Sequence, residues 1–345
     1  MQQDYILSID NGTQSVRALL FDLQGNLVAK GRKEIEPYFS KNPGWAEQEP
    51  EYYWTSLGQA CEALWAATEI KPEQVIGVGL TTQRGTVINL DKSGQPLRPA
   101  ITWLDQRQAE LDKPIGGMWG AIFKVIGLKD VVSSFQRKAQ AVWIEQNQPE
   151  IWSKTHKFLL LSGYLTYRLT GEYKDSVGCI VGYLPFDYKK HEWAGARDWK
   201  WLAANVDPHM LPELVKPGET LGTITGEAAK HLGIPQGTPL VAAASDKACE
   251  VIGSGGVSPN IGCLSYGTTA TINTTNKKYV EGIRFIPPFP AAIPDTYNTE
   301  IMIYRGFWMV SWFKKQFGLR EQLIAKERGI AAETLFDEIV DSVPA

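Results

Sequence analysis

The chain opens on two apolar runs, Tyr5–Ile9 and Val16–Phe21, separated by the polar island Asp10-Asn11-Gly12-Thr13-Gln14-Ser15. A second break at Gln24-Gly25-Asn26 leads into another extended run. Short apolar runs bounded by Gly and Asn predict an antiparallel start of strand, turn, strand, turn, strand. Helical spacing follows in "WAEQEPEYYWTSLGQACEALWAATE", where Trp54, Leu57, Cys61, Leu64 and Trp65 recur at helical intervals. Glu49-Pro50 marks the entry of that helix, and Gly58 interrupts its pattern. "QVIGVGLTTQRGTVINLDKSGQPL" then reads as strand, polar turn, strand, and a turn at Lys92-Ser93-Gly94. Strands followed by a helix and another strand predict an α/β layered domain on a mixed sheet.

From Gln106 to about Thr170 the pattern is mainly helical, in "SSFQRKAQAVWIEQNQPEIW" and in "KTHKFLLLSGYLTYRLTGE", with Gly171 where a helix-ending glycine belongs. Residues 172–220 are irregular. "AAKHLGIPQGTPLVAAASDKACEVIGSGG" predicts a helix end, a turn, a buried strand with Asp246 at its end, and a new helix to about Ile252. After Gly253-Ser254-Gly255-Gly256 comes a second β start, "NIGCLSYGTTATINTTNKKYV". Its Leu264-Ser265-Tyr266-Gly267-Thr268-Thr269 parallels Leu7-Ser8-Ile9-Asp10-Asn11-Gly12-Thr13: each is a strand running into a Gly-Thr turn. Each opens a candidate domain, so the pair reads as an internal duplication, with domains expected at 1–252 and 253–345.

Composition narrows the function. The 345 residues favour two domains, and 43% hydrophobic with 21% charged residues is ordinary for a chain with a large core. A net charge of −3 argues against a nucleic-acid binder. Cys61, Cys179, Cys249 and Cys263 are scattered and read as reduced thiols. No secretory leader is evident, and no apolar stretch approaches the roughly 20 residues of a membrane span, so a soluble cytoplasmic protein is expected.

Several chemistries are excluded by motif. There is no G-x-x-x-x-G-K-[ST] and no G-x-G-x-x-G opening a helix. No G-x-S-x-G elbow or Cys/His cluster occurs, and His156, His191, His209 and His231 read as surface or satisfied core residues. What remains is two Gly-Thr hairpin tips, Asp246, and a polar turn at Gln83-Arg84. Two glycine tips facing each other would let backbone N–H groups grip a polyphosphate, and Asp10 beside the first would hold Mg²⁺ through water. The same residues would equally serve as plain turn and Asx-turn formers. Asp246 suits a general base for a substrate hydroxyl, or a cap for the helix that follows. Gln83 and Arg84 supply donors for a polyhydroxylated ligand, with Trp103, Asp105 and Arg107 near the same cleft; a solvated turn and a core tryptophan are the plainer alternatives.

Taken together, these stretches resemble the FGGY carbohydrate kinases. "SIDNGTQSVRALLFDLQGNLV" looks like the family's first phosphate motif and "PGWAEQEPEYYW" like the segment after it. "TTQRGTVINLDKSGQPLRPAITWLDQR" resembles the sugar-site strand pair, and "KFLLLSGYLTYRLTGE" the first signature helix. "GIPQGTPLVAAASDKACEVIGSGG" resembles the segment with the catalytic aspartate, and "LSYGTTATI" the second phosphate motif. The resemblance implies an α/β actin-like ATPase (ribonuclease H-like) fold of two domains, each on a mixed sheet, with the second incomplete because family members are longer. It implies ATP-dependent phosphorylation of a sugar or polyol hydroxyl, with ATP and Mg²⁺ bound. Residue by residue, Asp246 would be the base and Asp10 would place Mg²⁺. Gly12, Thr13 and Gln14, with Gly267, Thr268 and Thr269, would contact the ATP phosphates. Gln83, Arg84, Trp103 and Asp105 would lie at the sugar site.

Two positions depart from that pattern. Glycerol kinases carry a glutamate where this chain has Gly85, which disfavours glycerol and favours a larger substrate. Lys247 replaces a neutral amide after the catalytic aspartate and is expected to lower the pKa of Asp246. The competing expectation is a non-catalytic sugar-binding or regulatory relative. An actin- or chaperone-like ATPase shares the two hairpins but leaves the Gln83-Arg84 and Asp246 segments unexplained. A homodimer, with neither nucleic acid nor membrane as partner, completes the expectations.

Overall fold

The computed structural model describes residues 3–111, 114–266, 269–282, 286–303 and 306–343, apart from the side chains of 307 and 308. The predicted β start is present. β1 (Tyr5–Asn11) buries Tyr5, Leu7, Ile9 and Asn11 on alternate positions and pairs antiparallel with β2 (Ser15–Asp22), which pairs with β3 (Leu27–Glu34). β4 (Glu47–Gln48) precedes α1 (Pro50–Ala66), which begins at the expected proline and packs on β2 and β3. That helix is the crossover that lets β5 (Val75–Thr82) return parallel to β1.

β5 and the strand after it form as read, but in different sheets. β6 (Val87–Leu90) does not pair with β5; it joins a second sheet with β4, β7 (Ala100–Ile101) and β8 (Lys157–Leu160), in the order β4-β7-β6-β8. The residues Gln83–Thr86 therefore cross between sheets. The helical region is also finer than predicted. After α2 (Gly117–Val125), one expected helix is three, α3 (Lys129–Lys138), α4 (Gln140–Asn147) and α5 (Pro149–Lys154). The backbone turns extended at Ala139, and Pro149 restarts the helix after Gln148. The stretch Lys157–Leu160, expected to be helical, is strand β8 because the edge of β6 is there to receive it. α6 (Leu161–Thr170) follows at once and ends at Gly171 in the left-handed conformation.

Two small ribbons come next. β9 (Lys174–Ser176) pairs with β12 (Glu213–Val215), and β10 (Phe186–Asp187) with β11 (Glu192–Trp193); α7 (Trp199–Ala204) lies between them in sequence. β13 (Thr220–Thr223), α8 (Gly226–Leu232), β14 (Pro239–Ala242) and α9 (Asp246–Gly253) complete this body. Its main sheet has the order β13-β14-β5-β1-β2-β3, and β14 runs parallel to β5. A second body follows. β15 (Cys263–Tyr266), β16 (Ala270–Asn276), β17 (Phe289–Pro290) and β18 (Tyr297–Ile303) form an antiparallel sheet, followed by α10 (Phe307–Phe317), α11 (Leu319–Arg328) and α12 (Ala332–Asp341).

The largest core lies between the main sheet and α1, α6 and α8, through Leu7, Ile9, Tyr53, Leu57, Tyr164 and Leu232. Gly58, which interrupts the helical pattern, has a packing cause. His231 of α8 stacks on Trp54 at 4.0 Å between ring centroids, and a ring nitrogen lies 2.8 Å from the Trp54 carbonyl oxygen. A Cβ at Gly58 would meet that imidazole at 2.5 Å. His156 and His209 have ring centroids 6.4 Å apart, but no group of metal-ligating side chains forms among the described residues. All four cysteines are free. No helix among the described residues is long and apolar enough to cross a membrane.

Two stability outcomes follow from this packing. Gly58→Ala forces the helix pair apart and should cost about 1–3 kcal/mol in urea unfolding, with unchanged stability the contrary result. Asp175 is fully buried, accepts from Ser162 Oγ at 2.7 Å and from the Ser176 N–H, and burial pushes its pKa up to about 7 from 3.8. Its folded-state value exceeds the unfolded one, so its stabilising proton is fully held below the unfolded value and lost as pH rises through about 7. The drop in unfolding midpoint between about pH 5 and about pH 8 should therefore shrink in Asp175→Asn.

Candidate active site

Three parallel strands bring the candidate residues together. β1, β5 and β14 are neighbours pointing the same way, with Asn11 opposite Thr82 and Leu80 opposite Ala242. Their C-terminal ends carry Asp10, Gln83-Arg84 and Asp246, and that edge is where α/β sheets present reactive groups. Thr81 Oγ1 donates to the Ala244 carbonyl at 2.7 Å, and the Ser245 N–H to the Gly178 carbonyl at 3.0 Å. These bonds fix the segment that ends at Asp246. Asp246 is the first residue of α9, with Ser245 as the cap position, and its carboxylate accepts from the Lys247 N–H at 2.7 Å.

The first hairpin tip is closed by Gly12 N–H donating to the Ser15 carbonyl at 3.1 Å. Thr13 turns inward: its hydroxyl donates to Gln83 Oε1 at 3.3 Å and accepts from Trp103 Nε1 at 3.0 Å. Gln14 is exposed, and its carbonyl accepts from the Ile35 N–H at 3.0 Å. Gln83 is buried and donates its own N–H to the Asn11 carbonyl at 3.0 Å. Thus Thr13, Gln83 and Trp103 form one linked set at the mouth of β1 and β5. Asp105 is differently engaged. Its carboxylate takes Arg107 Nε at 2.8 Å, Arg107 Nη2 at 2.6 Å and the Ala46 N–H at 2.6 Å. Arg107 also pairs with Glu47, which bonds Arg98, and lies between the Trp45 and Trp143 rings. Of the second tip, Thr269 is half-buried; Gly267 and Thr268 lie outside the described residues.

Electrostatics at the strand ends is governed by burial. Asp10 faces Arg17 across the β1–β2 ladder at 2.7 Å, yet burial outweighs that partner and raises its pKa, with Glu250 adding to the rise. Asp246 is also raised by burial, against the lowering fields of Arg84 and Lys247 and its bond from the Lys247 N–H; Asp10 adds repulsion. Lys247 lowers the pKa of Asp246 as expected, but burial outweighs it and the net direction is upward. Its Nζ turns away to Glu250 at 2.5 Å and to Ser265 Oγ at 2.8 Å on β15. Burial likewise raises the thiols of Cys249 and Cys179, both near Asp246.

Two participants escape sequence reading. Glu250 had a local signal, since it follows Lys247 by one helical turn. Glu300 had none: it lies 216 positions from Arg84, yet takes Arg84 Nη2 at 3.0 and 3.2 Å. Gly85, beside that arginine, sits at φ +71° with Trp103 Cβ 3.6 Å from where a Cβ would stand.

Residues 5–253 match the FGGY family of carbohydrate kinases, N-terminal domain. The uncharacterized sugar kinase YgcE of Escherichia coli (strain K12) is 30% identical over 348 residues, covering 100% of this chain and 63% of that protein. Xylulose kinase of Lactococcus lactis subsp. lactis (strain IL1403) is 26% identical, over 99% of this chain and 65% of the relative. Among solved structures, ligand-bound xylulose kinase from Lactobacillus acidophilus superposes with a TM-score of 0.79 at 20% identity, over 99% of this chain and 66% of that one. Plasmodium falciparum glycerol kinase with ADP gives 0.72 at 23% identity, over 91% and 63%. The chain thus spans about two thirds of the length of these relatives. The fold is that of the actin-like, ribonuclease H-like sugar kinases. With a match extending over most of its residues, the chain belongs to the FGGY family of carbohydrate kinases.

Proposed function

We propose that this protein transfers the terminal phosphoryl group of ATP to a hydroxyl of a sugar or polyol, with Asp246 as general base. The convergence of Asp246, Arg84 and Asp10 at the ends of three parallel strands is the observation that carries the reading. Burial makes Asp246 a stronger base than an ordinary carboxylate, while Arg84 and Lys247 favour its ionised form. Asp246 takes the proton of the attacking hydroxyl, and Arg84, Gln83 and Trp103 orient the sugar. Asp105 would support this wall from behind, its carboxylate held by Arg107 and the Ala46 N–H.

The first tip fits a phosphate. A Cβ at Gly12 would stand 3.3 Å from the Ser15 carbonyl oxygen and 3.7 Å from Asp10 Oδ1, so a side chain there would fill the space over the carboxylate. Asn11 at its foot is fully buried, and neither of its amide atoms has a hydrogen-bond partner among the described residues. Gly12, Thr13 and Gln14 would hold the phosphates from this side, and Gly267, Thr268 and Thr269 from the other. Asp10, part-exposed at 20%, suits Mg²⁺, which binds through few carboxylates and keeps much of its water. The ion would neutralise phosphate charge. Residues 1–252 would then be the sugar-binding domain and 253–345 the part that brings the second phosphate motif.

The test is ADP release with glycerol, D-xylulose and D-gluconate. Asp246→Asn should lower the rate by about 10²–10⁴-fold, and equal rates with every substrate would overturn the mechanism. The wild-type rate should rise with pH through the raised pKa of Asp246, so its acid limb lies above the ordinary carboxylate range.

A further inference from the structure

The guanidinium of Arg84 belongs to the first body and its carboxylate partner to the second. Both Glu300 oxygens accept from Nη2, and the guanidinium carbon lies 5.1 Å from the centre of the Phe289 ring. The Glu300 side chain is only 3% exposed and that of Arg84 17%. At such depth a lone carboxylate is costly, so the pair is held together by the desolvation that separation would leave unpaid. Glu300 lies on β18, which is hydrogen-bonded on both sides, to β16 and β17. Gly85 has the backbone of a residue that L side chains rarely adopt, so a carboxylate beside Arg84 comes without strain from Glu300 and not from position 85.

A paired guanidinium keeps donors but loses net charge. Both bonds to Glu300 use Nη2, and among the described residues no hydrogen bond uses Nε or Nη1. Those groups can donate to hydroxyls. An acidic ligand gains little there, because Glu300 already neutralises Arg84 and Asp246 and Asp10 add negative charge. Lys247 does not offset this, being held by Glu250. Building on the kinase reading above, we propose that Glu300 is a specificity-determining residue. By pairing with Arg84 it makes the site select neutral polyhydroxylated sugars or polyols over sugar acids, and it makes sugar recognition depend on contact between the two bodies.

Calorimetry on the whole chain tests this with glycerol, D-xylulose and xylitol as neutral probes and D-gluconate as the acid. The wild type should bind at least one neutral probe about tenfold or more tighter than D-gluconate. Glu300→Gln frees the arginine charge and should shift that ratio about tenfold toward D-gluconate, while Glu300→Asp should keep it. Should the Gln variant not melt cooperatively, the wild type decides alone: the Arg84 Nε–H resonance should shift with the bound neutral probe and stay in place with D-gluconate. A wild type that binds no neutral probe or prefers D-gluconate overturns the proposal, as does a ratio unchanged in Glu300→Gln. Neutral preference without ADP release would remove the kinase reading and leave this one standing. ADP release with an unchanged ratio would do the reverse.

Discussion

The arrangement of the candidate site depends on the parallel pairing of β1, β5 and β14. A parallel return cannot be made by a tight turn, so the chain must travel through α1 before β5 and through the whole second sheet before β14. That routing separates Asp10, Arg84 and Asp246 widely in sequence while leaving them at one edge in space. Antiparallel pairing of any two would have sent one of these groups to the opposite edge.

Around that edge, desolvation outweighs the local ion pairs. Asp10 has a 2.7 Å guanidinium partner and Asp246 has two cationic neighbours, yet both carboxyls are displaced upward. The cations themselves are largely committed. Arg84 serves Glu300, and Lys247 serves Glu250 and Ser265. The Arg84–Glu300 and Lys247–Ser265 ties run from the first body to the second, so the charge balance at Asp246 reflects how the two bodies meet.

Much of this was legible in the residues. Alternation in Tyr5–Asn11, proline at the start of α1 and the small-residue run before Asp246 each reflect local physics, and each element formed where expected. The failures arose where a partner distant in sequence decided the outcome. A continuous apolar run such as Phe158–Leu161 satisfies helix and strand alike, and the edge of β6 chose for its first part. The polar stretch after β5 read as a turn between two strands, and nothing local reveals that the second of them joins another sheet. Lys247 lowers the pKa of Asp246 as its adjacency implied, but the burial that outweighs it, and the turn of its amine to Glu250, came only with the fold. Asp105 had the composition of a ligand-facing residue, and its bonds to Arg107 and Ala46 became visible only with the fold.

The crossing between β5 and β6 has a mechanical side. The two sheets share one core cluster, in which Ile88, Leu90, Ala100 and Leu159 of the second sheet join Leu7, Ile9, Val78 and Leu80 of the first. That shared core restrains any twist of one sheet against the other, and Gln83, Arg84, Gly85 and Thr86 are the four residues of the direct link from β5 to β6. On the function proposed above, a ligand gripped by Gln83 and Arg84 would stiffen that seam, and a flexed seam would loosen the grip.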